Sequence, residues 1–316
     1  MNIFKKVQQY YIPIHDSILV QKHTMTKETV FFIHTELQDK SFIKEELHRL
    51  LQKPEYISIS CKNITINYIP IARITQARMK TLITRLLTLT KMFQIENVIQ
   101  YWILPCNTKR FFPHTGIVEA KNINGGYTYT HNQTIFIYRY EEFPKVAIHE
   151  LLHNSILHVD QWNKEDLLSL YQAFHIDTDS CDIYCTTQLM PNEALIEAWS
   201  IMFHLCFVAI ETKQSFQELY EQELSYSLSI SHKLLEYQQK MVPLWKENTH
   251  SYSYIRLKTC ILFYWKSFEK IHYPYRSQVL TRFFLEHNAK KTFLKQILNS
   301  PLPTDPGFRM TRSGDL

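Results

Sequence analysis

Strand-forming patterns stop near residue 143, and from Pro144 onward the chain reads almost wholly as helix, so any fold must join a sheet to a helical half. Apolar residues recur at helical spacing in 144–158, 164–174, 192–211, 214–240, 253–271, 275–287 and 288–299. Before that point β-prone runs predominate: TVFFIHTEL (29–37), ITINYIPIARI (64–74), NVIQYWILP (97–105) and QTIFIYRY (133–140). One helix, 76–93, interrupts them, with Met79, Leu82, Ile83, Leu86, Leu87 and Leu89 on its apolar side. The segment 116–130 contains Asn-Gly-Gly, a turn signal between two hairpin strands. The expectation is an α+β chain. An N-terminal lobe, 1–143, holds a mixed sheet with helices and ends in the edge strand 133–140. A helical lobe, 144–300, follows, with a cleft between the two. The tail 301–316 has turn residues and charges and little to pack, and is expected to be exposed.

Composition narrows the classes of function. The chain has 316 residues, 45% of them apolar and only 5 of them Gly, which excludes collagen-like and disordered classes. The net charge of +5 is spread along the chain without a basic run, so no nucleic-acid partner is expected. Six scattered cysteines fit reduced thiols, and the Cys181/Cys185 spacing matches no four-ligand zinc pattern. The N-terminus lacks a signal-type apolar stretch. The longest apolar run, Ala198 to Ile210, is short for a membrane span and contains His204. These features lead to the expectation of a cytoplasmic protein with no membrane partner.

The chemistry concentrates in VAIHELLHNSILH (146–158). Pro144 suits the first turn of a helix, where its missing N–H costs nothing. On that helix His149 and His153 project from one face, one turn apart, and two neutral imidazoles so placed can hold one Zn²⁺. Glu150 sits beside them, placed to polarise a water rather than to bind metal. A third ligand is needed. His158 lies five residues past His153, and a continuing helix carries it to a different face. The better candidate is in MPNEALIEAWSIMFHLC (190–206), where Glu193 and Glu197 share a face of an otherwise apolar helix. Burying two carboxylates there is costly unless a cation meets them. Glu193 would complete a His2Glu set, and Glu197 would accept the free N–H of a ligating histidine. His204 shares their face. The oxyanion donor is sought in 247–265, where His250 and Tyr254 stand in a polar segment before a helix. An acidic run, 177–182, lacks the Gly and terminal Glu of a calcium loop.

With HELLH followed by NEALIE, the sequence resembles the gluzincins, the thermolysin-like zinc peptidases. The resemblance covers residues 75–210, with Glu197 standing where that family usually has Asp and with Glu193 following 40 positions after His153. It implies a zincin-like fold, Zn²⁺ on His149, His153 and Glu193, Glu150 as general base, and a peptide or protein substrate. The alternative expectation is a catalytically silent protein of the same fold, serving as a structural or interaction module within a larger assembly.

Overall fold

The computed structural model describes residues 3–13, 18–113, 115–129, 133–159, 162–177, 189–240, 244–272, 274–303 and 309–315. The chain begins with α1 (Ile3–Tyr10), β1 (Leu19–Thr24), α2 (Lys27–Glu36), α3 (Lys44–Leu51), β2 (Glu55–Cys61) and β3 (Ile64–Tyr68). Next come α4 (Gln76–Phe93), β4 (Ile99–Cys106), β5 (Val118–Glu119), α5 (Ala120–Ile123), β6 (Gly126–Tyr127) and β7 (Thr134–Arg139). Then follow α6 (Phe143–Leu152), α7 (Lys164–Ala173), α8 (Pro191–Thr212), α9 (Phe216–Lys240), β8 (Glu247–Asn248) and a π-helical turn, Ser253–Leu257. The last helices are α10 (Lys258–Phe263), α11 (Trp265–Phe268), α12 (Ser277–Asn288) and α13 (Lys291–Asn299).

Six strands form one mixed sheet in the order β1-β2-β3-β4-β7-β6. Its centre, β3, β4 and β7, is parallel, and the outer pairings are antiparallel. Parallel strands are buried on both faces, and β4 shows the two coverings. Tyr101 and Ile103 join the core that holds α4 and α6, whereas Trp102 and Leu104 meet Ile33 of α2 and Leu47 of α3. Helix α4 is the crossover between β3 and β4 and has the predicted bounds. The Thr75 side chain caps it by accepting from Arg78 N at 3.2 Å, and Gln94 ends it in the left-handed region at φ 54°.

Several expectations need correction. The run 29–37 is helix α2, not a strand: Thr26 caps it, and Ile33 is its buried contact. The predicted helix 253–271 is broken into the π-helical turn, α10 and α11. Asn-Gly-Gly is not the turn of a hairpin but the entry to β6, which pairs antiparallel with β7. Gly126 is required there by close approach, since a Cβ would lie 2.8 Å from the Phe136 carbonyl oxygen. Strand 133–140 is therefore not the edge: β6 lies outside it. Nor does the apolar core divide at 143. It runs from Ile3 and Val7 through Tyr101 and Leu151 to Leu195 and Met310, and Phe4 of α1 stacks on Phe216 of α9 at 5.4 Å. Helix α8 is long and apolar enough to cross a membrane, but 83% of its apolar window is buried inside the protein. It is the central core helix.

The expectation of an exposed tail fails for residues 309–315. Met310, Thr311 and Ser313 are buried. Their anchor is Glu142, fully buried and left-handed at φ 59°, at the start of α6. Its carboxylate accepts from Met310 N at 3.0 Å, from Thr311 N and Oγ1, and from Arg110 Nη1 at 2.6 Å. Burial alone would raise its pKa, but the Arg110 guanidinium overrides this and holds it below the usual carboxylate range. On α8, buried His204 donates through Nε2 to the Ser313 carbonyl at 2.7 Å. Burial, reinforced by the Arg85 cation, pushes this imidazole down to about 3.

That value carries a pH prediction. Because the folded His204 binds its proton more weakly than the unfolded chain, whose histidine pKa is about 6.5, its stabilising contribution is full above that pH. Stability then falls as the pH drops towards about 3, with a slope of up to about 1.4 kcal/mol per unit. Denaturant midpoints measured across this range should fall less steeply in His204→Gln than in the wild type. Parallel slopes would remove His204 as the source.

Candidate metal centre

The site is built on two helices. All of α6 is buried, so His149, Glu150 and His153 are presented from a helix with little freedom to move. Helix α8 brings Glu193 in its first turn and Glu197 one turn later. Among the described residues, His149, His153 and Glu193 are the one group of three whose ligand atoms converge. His149 Nε2 lies 3.2 Å from His153 Nε2 and 3.3 Å from Glu193 Oε2, and His153 Nε2 lies 3.5 Å from that same oxygen. A tetrahedral zinc with bonds of about 2.0–2.1 Å sets its ligand atoms roughly 3.3–3.5 Å apart. The triangle fits that requirement, and its donors, two imidazoles and a carboxylate, are ligands zinc accepts.

Electrostatics agree with the geometry. Burial alone would lower the His149 pKa, but hydrogen bonds to Glu193 and Glu197 outweigh it and carry the group up to about 10. Burial acts to raise Glu193, yet His153 and the bonds to both histidines pull it well below the usual range. Burial raises the pKa of Glu150, an effect that the neighbouring histidines only partly offset.

Behind the triangle, Glu197 Oε2 is 2.8 Å from His149 Nδ1. Its other oxygen accepts from Lys145 Nζ at 2.5 Å, an ion pair with both side chains buried. A buried carboxylate so paired keeps its charge. Burial works to raise the Glu197 pKa, but Lys145 and His149 push it far down. Tyr254, in the π-helical turn, donates through its hydroxyl to Glu193 Oε2 at 3.0 Å, and its ring stands 5.7 Å from that of His149. His250 lines the same cleft, with its ring 6.0 Å from Tyr254.

The structure thus brings together His149, Glu150, His153, Glu193, Glu197, Tyr254 and His250. His204 points away, to the tail. Of the acidic run 177–182, all but Asp177 lies outside the described residues, as do Cys181 and Cys185. Lys145 escaped the sequence reading, although it had a legible signal, since it stands four residues before His149 on the same face. His158 was set aside there on the expectation of a helix continuing to 158. Helix α6 stops at Leu152 instead of continuing to 158, and a turn closed by Asn154 N to Leu151 O and Ser155 N to Leu152 O folds the chain back. His158 returns to the site and its Nδ1 lies 3.2 Å from His153 Nδ1.

In front of the triangle lies a cleft of about 470 Å³. Gly126, Tyr127, Thr128 and Tyr129 form one wall, continuing the outermost strand of the sheet. Val159, Trp162, Leu167 and Met190 give the other wall an apolar character. No protein-family model, curated protein or solved structure matches this chain.

Proposed function

We propose that this chain is a zinc-dependent peptidase of gluzincin type with a zincin-like fold. The observation that carries this reading is the triangle of His149, His153 and Glu193 with edges of 3.2, 3.3 and 3.5 Å. Glu150 beside it, and Glu197 behind it, supply the two further groups that such chemistry needs. Zinc bound there would act as a Lewis acid and lower the pKa of a water to about 7.

The chain's own residues account for the remaining steps. Glu150 takes a proton from the attacking water and returns it to the nitrogen of the leaving amine, so water and peptide become acid and amine. Its burial favours this exchange by bringing the carboxylate closer in basicity to its task. The Tyr254 hydroxyl, held at Glu193 in the resting protein, is the donor for the oxygen that gains charge on the scissile carbonyl. Strand β6 and the two residues after it border the cleft, where an extended peptide can pair with the main chain.

The test is hydrolysis of a mixed peptide library, read by mass spectrometry. The expected result is cleavage by the zinc-loaded protein, its loss on chelation, and its return with added Zn²⁺. Metal uptake without cleavage would favour a silent module of the same fold.

A further inference from the structure

We infer that His158 is a positioning residue: its Nδ1 accepts from His153 Nδ1 and so sets the tautomer and orientation of His153. The inference rests on the zinc reading above. It concerns a residue that the HELLH and NEALIE motifs do not include.

The proton assignment follows link by link. The Val159 N–H can only donate, and it points at the Asn192 side chain at 2.9 Å, so the atom that receives it is the amide oxygen Oδ1. This fixes the amide orientation and turns Nδ2, a donor, towards His158 Nδ1 at 2.8 Å. That donor also lies 3.5 Å from His158 Nε2, so it stands over the ring rather than in line with one lone pair, and it fixes the place of the ring but not its tautomer. On the zinc reading His153 turns Nε2 to the triangle and carries its proton on Nδ1, so the contact at 3.2 Å with His158 Nδ1 is a bond in which His153 donates to that one lone pair and His158 keeps its own proton on Nε2. With the His153 proton held on Nδ1, its Nε2 lone pair is free and faces His149 Nε2 and Glu193 Oε2. His158 thus meets the nitrogen of a candidate ligand that does not face the triangle.

The fold holds the His158 ring in place. Asn192 is 4% exposed in the first turn of α8, one residue before Glu193. Val159 is 9% exposed, and Ser155 Oγ closes the intervening turn by donating to Leu152 O at 2.6 Å and accepting from Leu157 N at 3.2 Å. The two ligand histidines are consequently oriented by different chemistries. His149 is held by the Glu197 carboxylate, and His153 by a neutral imidazole.

The test compares wild type, His158→Phe and His158→Gln. Phe keeps ring volume but has no acceptor, while the Gln amide oxygen can replace the bare nitrogen. Zinc affinity is measured by competition with a chromophoric chelator, and the ligand field by the visible absorption of the Co²⁺ form. Thermal unfolding of each metal-free variant confirms that it folds. The expected result is a loss of affinity of about 10- to 100-fold in His158→Phe with an altered Co²⁺ band. His158→Gln should stay within a few-fold of wild type and keep the wild-type band. Wild-type affinity in His158→Phe, or equal weakness in both variants, would overturn the assignment of His158. A wild-type protein that takes up neither metal would instead overturn the zinc reading itself, before any substitution is made.

Discussion

Replacing Glu150 by glutamine is expected to lower peptide hydrolysis by about 10²- to 10⁴-fold, the usual contribution of a general base, while one zinc per chain is retained. The substitution changes one oxygen to an amide and keeps the shape of the side chain. Glu150 makes no part of the ligand triangle, so the metal ligands stay as they are. Its site already disfavours a charged carboxylate because of burial, so a neutral amide there should cost little stability. The measurement pairs turnover on a peptide identified from the library with metal content by elemental analysis. Undiminished turnover in a zinc-loaded Glu150→Gln protein would remove Glu150 as the base.

The second large effect concerns Glu193. Changing it to alanine takes away the one oxygen of the triangle, and with it the anion that two imidazoles need to hold a divalent cation. Zinc content should fall from one per chain to near none. The same loss should appear in stability, because a ligand that binds only the folded state stabilises it by about 4 kcal/mol when present at a thousand times its Kd. Added zinc should therefore raise the wild-type Tm by several degrees and leave that of Glu193→Ala unmoved. A full equivalent of tightly held zinc in Glu193→Ala would withdraw Glu193 from the set. The paired design also separates metal binding from folding. Glu193 receives the Tyr254 hydroxyl, so the variant loses that bond as well, and the metal-free Tm of the two proteins measures its cost.

What could be read in advance depended on how local the determining physics is. Spacing along one helix is local. His149 and His153 are four residues apart, Glu193 and Glu197 are four apart, and each pair emerges on one face whatever else the chain does. The bounds of α4 were legible for the same reason, since Thr75 and the apolar spacing lie within the segment itself. Helix α2 was misread because an exposed run rich in Val, Phe and Thr looks like a strand until its cap and its single buried contact, Ile33, are seen.

The tail was misread for a different reason. Polar residues near a terminus usually face water, and here Glu142, Glu223 and His204 bind the main chain of residues 310–313 inside the protein. Such partners are more than a hundred residues away for Glu142 and His204, and no local pattern announces them. The early stop of α6 belongs with these cases. The turn after Leu152 brings the chain back to α8, where Asn192 holds Val159, and it converts His158 from a residue on the wrong face into a neighbour of His153.

By itself, then, the sequence determined the α+β class, the apolar character of α6 and α8, and the one motif that each of these helices carries. These depend on periodicity and side-chain chemistry, which act over a few residues. Only the tertiary structure decided that the motifs meet with their ligand atoms 3.2 to 3.5 Å apart. It also decided that Lys145 pairs with Glu197, that β6 and not β7 is the outer strand, and that the tail is held by Glu142. Each of those outcomes is a contact between distant segments, set by how whole helices pack, and packing is decided by the sum of the surfaces rather than by any one stretch of chain.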